Sequence, residues 1–346
     1  MTTKIAIRCN TDANKGYGNF TRCITLAKSL KKYSLSPIFL IDDNKIIKSE
    51  LKKYKISYHL LKKYNHIEES KEINILLTKK NIKFLILDLR EKSETLSRQL
   101  MKYNFKTILI DDAFCTNIYS DIVFNGTIVK SFQNYNYINN DTLKFLGPKY
   151  FLSESGFSKF SKKSNDIVNK KIFTIVVSFG GSDPTNLTLT VLKQISLLSN
   201  IKIIVILGPF FKNKKKIYDF CKYKKNLHIK NSPSNIWNIF HKSDVAITKG
   251  GLTLYELSIM GIPTICIDAF DHEQISTLEF SKKNFSINLG MLYSKQNISI
   301  DDSLAKLLKN LSKRKKINSC GKKIVDGKGL MRTSKIIKNF TKKTIF

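Results

Sequence analysis

Two glycine-centred turns hold the residues whose chemistry is easiest to read. The apolar run from Phe173 enters Gly180-Gly181-Ser182-Asp183-Pro184, and the run from Asp244 enters Gly250-Gly251-Leu252-Thr253, with Glu256 shortly after. A strand that turns through glycines into a helix leaves backbone N–H groups unpaired at the positive helix end, which is an anion site. Two such turns in one α/β domain point to a ligand with a diphosphate, such as a nucleotide-sugar. Ser182 offers a hydroxyl to phosphate, while Asp183 is expected to cap the next helix with Pro184 at its first position. The backbone of Gly250, Gly251, Leu252 and Thr253 is expected to hold the diphosphate. Glu256, one turn into that helix, offers two acceptor oxygens to the neighbouring hydroxyls of a ribose. Thr253-x-x-Glu256 also fits a capping box, in which the carboxylate would be structural.

Three other groups are candidates. Gly16-Tyr17-Gly18-Asn19 follows the first strand. Its glycines would let a ligand approach the backbone, or the segment is a tight turn with Asn19 as helix N-cap. Arg22, one turn on, faces either ligand or solvent. Asp111-Asp112 ends a strand, where paired carboxylates would bind a sugar, a water or a metal, or simply form a turn. Asp271-His272-Glu273-Gln274 holds the one histidine on a ligand-side loop, an acid, base or phosphate contact, or else part of a polar first turn. There is no second histidine at metal spacing, no Walker lysine and no Ser-His-Asp set, and G-x-G-x-x-G is incomplete because Arg22 takes its last place. No metal or cofactor is expected.

These residues need strands that end at one side of a sheet. Apolar strands are expected at 4–8, 36–41, 84–88, 107–111 and 121–125, and again at 172–178, 202–207, 227–230, 245–248 and 264–267. Helical stretches lie between them. Phe20, Cys23, Ile24, Ala27 and Leu30 recur at one-sided helical spacing. Apolar strands alternating with helices imply parallel sheets covered on both faces. The expected organisation is a first Rossmann-like domain over 1–149, a polar linker over 150–170, a nucleotide-sugar domain over 171–330 and a C-terminal helix over 331–346. Ligands of such α/β sheets bind beyond the carboxyl ends of the strands, so the turns are expected to line one cleft.

The net charge of +33 comes almost wholly from lysines spread along the chain, with arginine only at 8, 22, 90, 98, 314 and 332. Base readers lean on arginine forks, so specific nucleic-acid binding is not expected, whereas weak attraction to an anionic membrane surface is. The six cysteines are scattered without a C-x-x-C pair. No apolar run nears the roughly 18–20 residues of a membrane span, and the N-terminus reads directly into a strand. A cytoplasmic protein with reduced thiols is expected.

Together these residues resemble the nucleotide-sugar hydrolases of pseudaminic acid biosynthesis and their spore-coat-polysaccharide relatives. That family shares the glycosyltransferase-B architecture with the N-acetylglucosaminyl transferase of peptidoglycan synthesis. The resemblance runs over nearly the whole chain: Arg8, Gly16-x-Gly18, Arg22, Asp111-Asp112, Leu146-Gly147-Pro148-Lys149-Tyr150, Gly180 to Pro184, Gly250 to Glu256, Met260-Gly261-Ile262-Pro263, Glu273-Gln274 and Asp326-Gly327-x-Gly329. It implies an α/β fold of two doubly wound Rossmann-like domains facing across a cleft, with Arg22 and Gln274 on the sugar side. It also implies a metal-free reaction in which water attacks the anomeric carbon of a UDP-linked 2,4-diacetamido-2,4,6-trideoxy sugar and UDP leaves. The family's general base is a histidine directly after G-x-G, and this chain has Asn19 there. An acidic residue two positions after the opening arginine is Asn10 here. An amide has no useful basicity, so hydrolysis requires Asp12, Asp112 or His272 to substitute. Three readings follow: a UDP-sugar hydrolase, a glycosyltransferase-B type transferase on the same donor, and a nucleotide-sugar-binding protein without catalysis.

Overall fold

The computed structural model describes residues 2–10, 18–62, 65–90, 92–291 and 299–345. Asp12 and Gly16 lie outside the described residues. The chain divides into two units, Met1–Ser153 with Lys328–Phe346, and Glu154–Gly327.

The first unit opens with β1 (Thr3–Cys9), α1 (Gly18–Lys31), β2 (Leu35–Ile41), α2 (Lys45–Lys53) and β3 (Ser57–Leu60). It continues with α3 (His66–Lys79), β4 (Phe84–Asp88), α4 (Lys92–Leu100) and β5 (Lys106–Ile110). The short β6 (Asn117–Ile118), β7 (Ile122–Asn125), β8 (Asn136–Tyr137) and β9 (Leu143–Leu146) follow. The main sheet has the order β3-β2-β1-β4-β5-β7-β9, every pair parallel. Strands such as β4, buried along their whole length, need cover on both faces. On one face α1 supplies Phe20, Cys23, Ile24, Ala27 and Leu30, packed with Ile5, Ile7, Phe84 and Ile86. On the other, Ile73 and Leu77 of α3 and Leu96 and Leu100 of α4 pack with Leu85 and Leu87.

The second unit runs α5 (Ser155–Lys159), β10 (Phe173–Ser178), α6 (Leu187–Ile195), β11 (Ile201–Leu207), α7 (Lys214–Cys221) and β12 (Leu227–Asn231). Then come α8 (Ile236–Lys242), β13 (Val245–Thr248), α9 (Leu252–Met260), β14 (Thr264–Asp268), α10 (Asp271–Lys282), β15 (Ser286–Met291), α11 (Ile300–Lys309) and α12 (Leu311–Ile324). Its sheet is also parallel, in the order β12-β11-β10-β13-β14-β15. The chain then returns to the first unit as α13 (Gly329–Ile345), which buries Ile337 in the α1 core and joins Ser334 Oγ to Ser29 Oγ at 2.7 Å.

The expected linker over 150–170 is therefore not a free tether. Phe151, Leu152 and Ser153 are buried in the first unit. Beyond them the segment is pinned to the second: Phe157 lies edge-on to Trp237, Lys162 N–H donates to Met260 O at 2.9 Å, and buried Arg314 donates to Val168 O at 2.9 Å. Polar composition hid a segment held by backbone hydrogen bonds and two aromatic rings. The terminal helix, likewise, is part of the first unit's core.

In each sheet the strand order reverses beside the first strand, between β1 and β4 and between β10 and β13. The carboxyl ends at such a reversal are where doubly wound sheets bind ligands.

Candidate functional site

In the second unit both glycine turns sit at this reversal. β10 and β13 pair in register, Val177 opposite Ile247, and Thr248 Oγ1 donates to Ser178 O at 2.7 Å. The turns at Gly180 and Gly250 are thus neighbours. Their helix ends differ, however. α6 starts at Leu187, so Pro184 lies outside the helix rather than at its first position. Asp183 reaches across the intervening turn and accepts from Leu187 N–H at 3.0 Å and Thr188 N–H at 2.7 Å. The expected cap forms, and it fills the anion site at the start of α6. What the first turn leaves open is its own backbone: Gly180 has φ +84°, a conformation suited to glycine, and the Cβ of any other residue there would meet nothing within 4 Å. Ser182 is half-buried beside it.

α9 is the opposite case. Gly251 is its N-cap and no side chain caps the helix. The Leu252 and Thr253 N–H groups have no partner among the described residues. Thr253 lies inside the helix, so the capping box with Glu256 does not form. The Glu256 carboxyl makes no hydrogen bond or ion pair to the described residues. Burial, and secondarily the charge of Glu154, pushes its carboxyl up to about 8. A short helix with open amides and an unpaired carboxyl one turn in presents donors to an anion and acceptors to hydroxyls.

The turn before α9 is held from below. Asp268, fully buried at the end of β14, accepts from Gly250 N–H at 2.9 Å and from Thr277 Oγ1 at 2.5 Å. Burial lifts its pKa to about 6 against those hydrogen bonds. Lys249 Nζ pairs with buried Glu273 at 2.6 Å. The first turn of α10 also carries Gln274, half-buried, and His272, which is exposed and stacks on Phe270 at 5.8 Å. Gly250 packs against this helix so closely that a Cβ there would stand 2.0 Å from Glu273 O.

In the first unit the reversal holds a polar cluster. Asp88, fully buried at the end of β4, accepts from Asn19 Nδ2 at 2.5 Å, from Arg22 Nε at 2.6 Å and Nη2 at 2.7 Å, and from Cys23 Sγ at 3.3 Å. Asn19 is inside α1 rather than at its cap, since the helix begins at Gly18. Arg22 is buried, and its Nη1 reaches both oxygens of Asp112 at 2.6 Å. Burial alone would lower the guanidinium pKa, but Asp112 and Asp88 outweigh it and hold it well above its ordinary value. Arg22 therefore spends its fork on two carboxylates rather than facing solvent, and Asp112 is held as an ion-pair partner. Asp111 turns the other way: it accepts from Tyr135 Oη at 2.7 Å and Phe114 N–H at 3.2 Å, with burial raising it to about 6. The two adjacent aspartates thus do not form a shared carboxylate site. Arg8 is likewise buried, paired with Glu69 at 2.7 Å and Asp42 at 3.0 Å. Among the described residues no group of three His, Cys, Asp or Glu side chains is placed to hold a metal, no helix is long and apolar enough to cross a membrane, and all six cysteines are unpaired.

Asp88 and Asp268 were not among the expected site residues, yet each organises one cluster. The signal was present twice: an otherwise apolar strand closing on an aspartate, Phe84-Leu-Ile-Leu-Asp88 and Thr264-Ile-Cys-Ile-Asp268.

Residues 174–331 match the glycosyltransferase family 28 C-terminal domain. The chain is 23% identical over 345 residues to the spore coat polysaccharide biosynthesis protein SpsG of Bacillus subtilis, covering 96% of each. It is 31% identical over 277 residues to an uncharacterized protein of Methanocaldococcus jannaschii, 76% of this chain. The chain spans only about half of that relative's length, 55%. In structure it is similar to MurG of Acinetobacter baumannii, with a TM-score of 0.70 at 12% identity over 97% of this chain and 99% of that one. It is also similar to the Anabaena protein HepE in complex with UDP, with a TM-score of 0.65 at 10% identity over 99% and 100%. The fold is that of glycosyltransferase-B proteins, two Rossmann-like α/β units. The family 28 match falls almost wholly within the second unit.

Proposed function

We propose that this protein is an enzyme that uses a UDP-sugar and transfers its glycosyl group in polysaccharide biosynthesis. The diphosphate lies on the amides of Leu252 and Thr253, since Gly250 N–H already donates to Asp268 and Gly251 N–H to Lys249 O; Gly180, Gly181 and Ser182 flank it, and the ribose hydroxyls donate to Glu256. The observation that carries this reading is the uncapped start of α9 with an unpaired carboxyl one turn in. The matched domain, the relative named for spore coat polysaccharide biosynthesis and the structural neighbour holding UDP support the same ligand class. Departure of UDP leaves an electron-poor anomeric carbon, and helix-end amides stabilise the charge that develops on the leaving diphosphate.

Hydrolysis of the 2,4-diacetamido-2,4,6-trideoxy sugar nucleotide is the second reading, favoured by the order of motifs from Arg8 to Gly329. Against it, Asn19 stands where that reaction's base belongs and already donates to Asp88. A transferase draws its nucleophile from an acceptor hydroxyl and excludes water, so the loss of a water-activating base is less damaging where the acceptor site supplies a base to take the hydroxyl proton.

The test is the pH dependence of UDP binding by wild type and Glu256→Ala. Hydroxyl donors favour the ionised carboxylate, so wild-type affinity rises with pH until about 8, where Glu256 is ionised without help. The substitution removes that rise and weakens binding at high pH by about 1–3 kcal/mol, the scale of charge-assisted hydrogen bonds. Titration of the phosphates is common to both proteins and cancels. Stability moves the other way. Between the ordinary carboxyl value of 4.5 and about 8 the unfolded chain is ionised at this position and the folded chain is not. Wild-type stability therefore falls as pH rises through that window, and Glu256→Ala abolishes this part of the slope. Equal affinity of the two proteins across the range would remove Glu256 from the site.

A further inference from the structure

We infer that the amino-terminal edge of the second unit's sheet is a docking surface for an anionic phospholipid bilayer. β10, β11 and β12 are neighbours, and the loops entering them expose three large apolar side chains: Ile172 at 61%, Leu197 at 84% and Tyr223 at 84%. Backbone and amide hydrogen bonds lace these loops into one edge. Phe173 N–H donates to Asn200 O at 3.0 Å, Ile203 N–H to Asn226 O at 2.7 Å, and Asn226 Nδ2 to Ser196 O at 3.2 Å.

Lysines adjoin Ile172 and Tyr223 and lie along the same edge, while two acids, Asp301 and Asp302, open α11, whose Ile300 N–H donates to Gln194 Oε1 three residues before Leu197. Lys171, Lys202, Lys222 and Lys225 are exposed and Lys224 is half-buried. Lys222 Nζ lies 5.1 Å from the Tyr223 ring centroid. None of these five has a carboxylate partner among the described residues. Residues 167–243 contain 13 lysines against two acids, Asp183 and Asp219, and Asp183 is spent capping α6 at the other end of the sheet. Lys170 is already paired with Asp244.

Unpaired lysines alone would suit any polyanion. The apolar tips favour the bilayer. Leucine and isoleucine side chains cannot stack on bases, but with tyrosine they partition into the headgroup and acyl boundary while lysine stems reach back to lipid phosphates. Each lysine near an anionic surface adds to the binding, which a neutral bilayer cannot supply. Strands in a parallel sheet run one way, so this edge is opposite the carboxyl ends that carry Gly180, Gly250 and Asp268. Docking by it leaves the nucleotide end of the unit facing water.

The test is co-sedimentation of the full chain with phosphatidylcholine vesicles, with and without phosphatidylglycerol. Wild type is expected to bind the anionic vesicles at least about tenfold more tightly than the neutral ones. Ile172→Ser with Leu197→Ser and Tyr223→Ser is expected to cut that binding about tenfold, and Lys222→Glu with Lys224→Glu and Lys225→Glu to cut it at least as much. All these positions are exposed or half-buried, so unchanged thermal unfolding verifies that the variants fold. Absence of wild-type binding to phosphatidylglycerol would overturn the inference. So would undiminished binding by the apolar triple variant, or a single-stranded RNA that binds wild type and that variant alike and displaces the vesicles.

Discussion

Asn19→His is expected to raise acceptor-independent release of UDP from the 2,4-diacetamido-2,4,6-trideoxy sugar nucleotide by at least about tenfold, toward the 10²–10⁴-fold that a general base contributes. The structure supplies the reason. Asn19 Nδ2 already donates to Asp88, and Asp88 is anchored from its other side by Arg22, itself fixed by Asp112. An imidazole in that place would give one ring N–H to Asp88 and keep the other nitrogen as an acceptor. A buried carboxylate holding a histidine in this way sets its tautomer and stabilises the imidazolium that forms on taking a proton. On the hydrolase reading, Asp88 would be the orienting half of a dyad whose basic half Asn19 does not supply. If release of UDP is unchanged while the variant remains folded, the cluster is not a hydrolytic site with a damaged base, and the transferase and binding-only readings remain.

A second large effect separates two adjacent glycines. Gly251→Ala is expected to leave stability within about 0.5 kcal/mol, because its φ of −115° suits alanine and the new methyl meets nothing within 4 Å. UDP affinity should nevertheless fall about 10–100-fold, because the methyl stands at the mouth of the open amides and costs charge-assisted hydrogen bonds of about 1.5–3 kcal/mol. Gly250→Ala should behave differently. Its Cβ would meet Glu273 O at 2.0 Å and Glu273 C at 2.7 Å, backbone atoms that cannot rotate away. The turn must shift and weaken the Gly250–Asp268 bond, so stability itself drops by about 1–3 kcal/mol. Calorimetric titration and denaturant unfolding of both variants check the pair. UDP binding by Gly251→Ala at wild-type strength would contradict the proposed path of the diphosphate.

Much of the fold was legible because long apolar strands alternating with one-sided helices admit few arrangements. β4 and β13 begin and end where the sequence indicates, and the start of α9 falls at Leu252. Less visible were elements without that contrast. α2 is short and lysine-rich, and it depends on Asn44 accepting from Ile46 and Ile47 N–H. α13 looks like a basic tail until Ile337 is seen packed with residues more than three hundred positions earlier. In the site, the glycine turns were apparent from spacing, but which helix end stays open was not. Asp183 and Gly251 both precede helices, and only the geometry tells that one is satisfied by its own carboxylate and the other has none. Arg22 and Asp112 were visible as charged residues. Their direct pairing, with Asp88 as the guanidinium's second carboxylate, depends on a helix and the ends of two strands meeting, a relation that no local pattern encodes.

The most direct measurement is an amide-resolved NMR titration of the labelled protein with UDP. The predicted result is saturable movement of the Leu252 and Thr253 amide resonances along one binding curve, with Leu187 and Thr188, already bonded to Asp183, scarcely affected. Binding of UDP that leaves Leu252 and Thr253 unmoved, or no binding at all, would contradict the account.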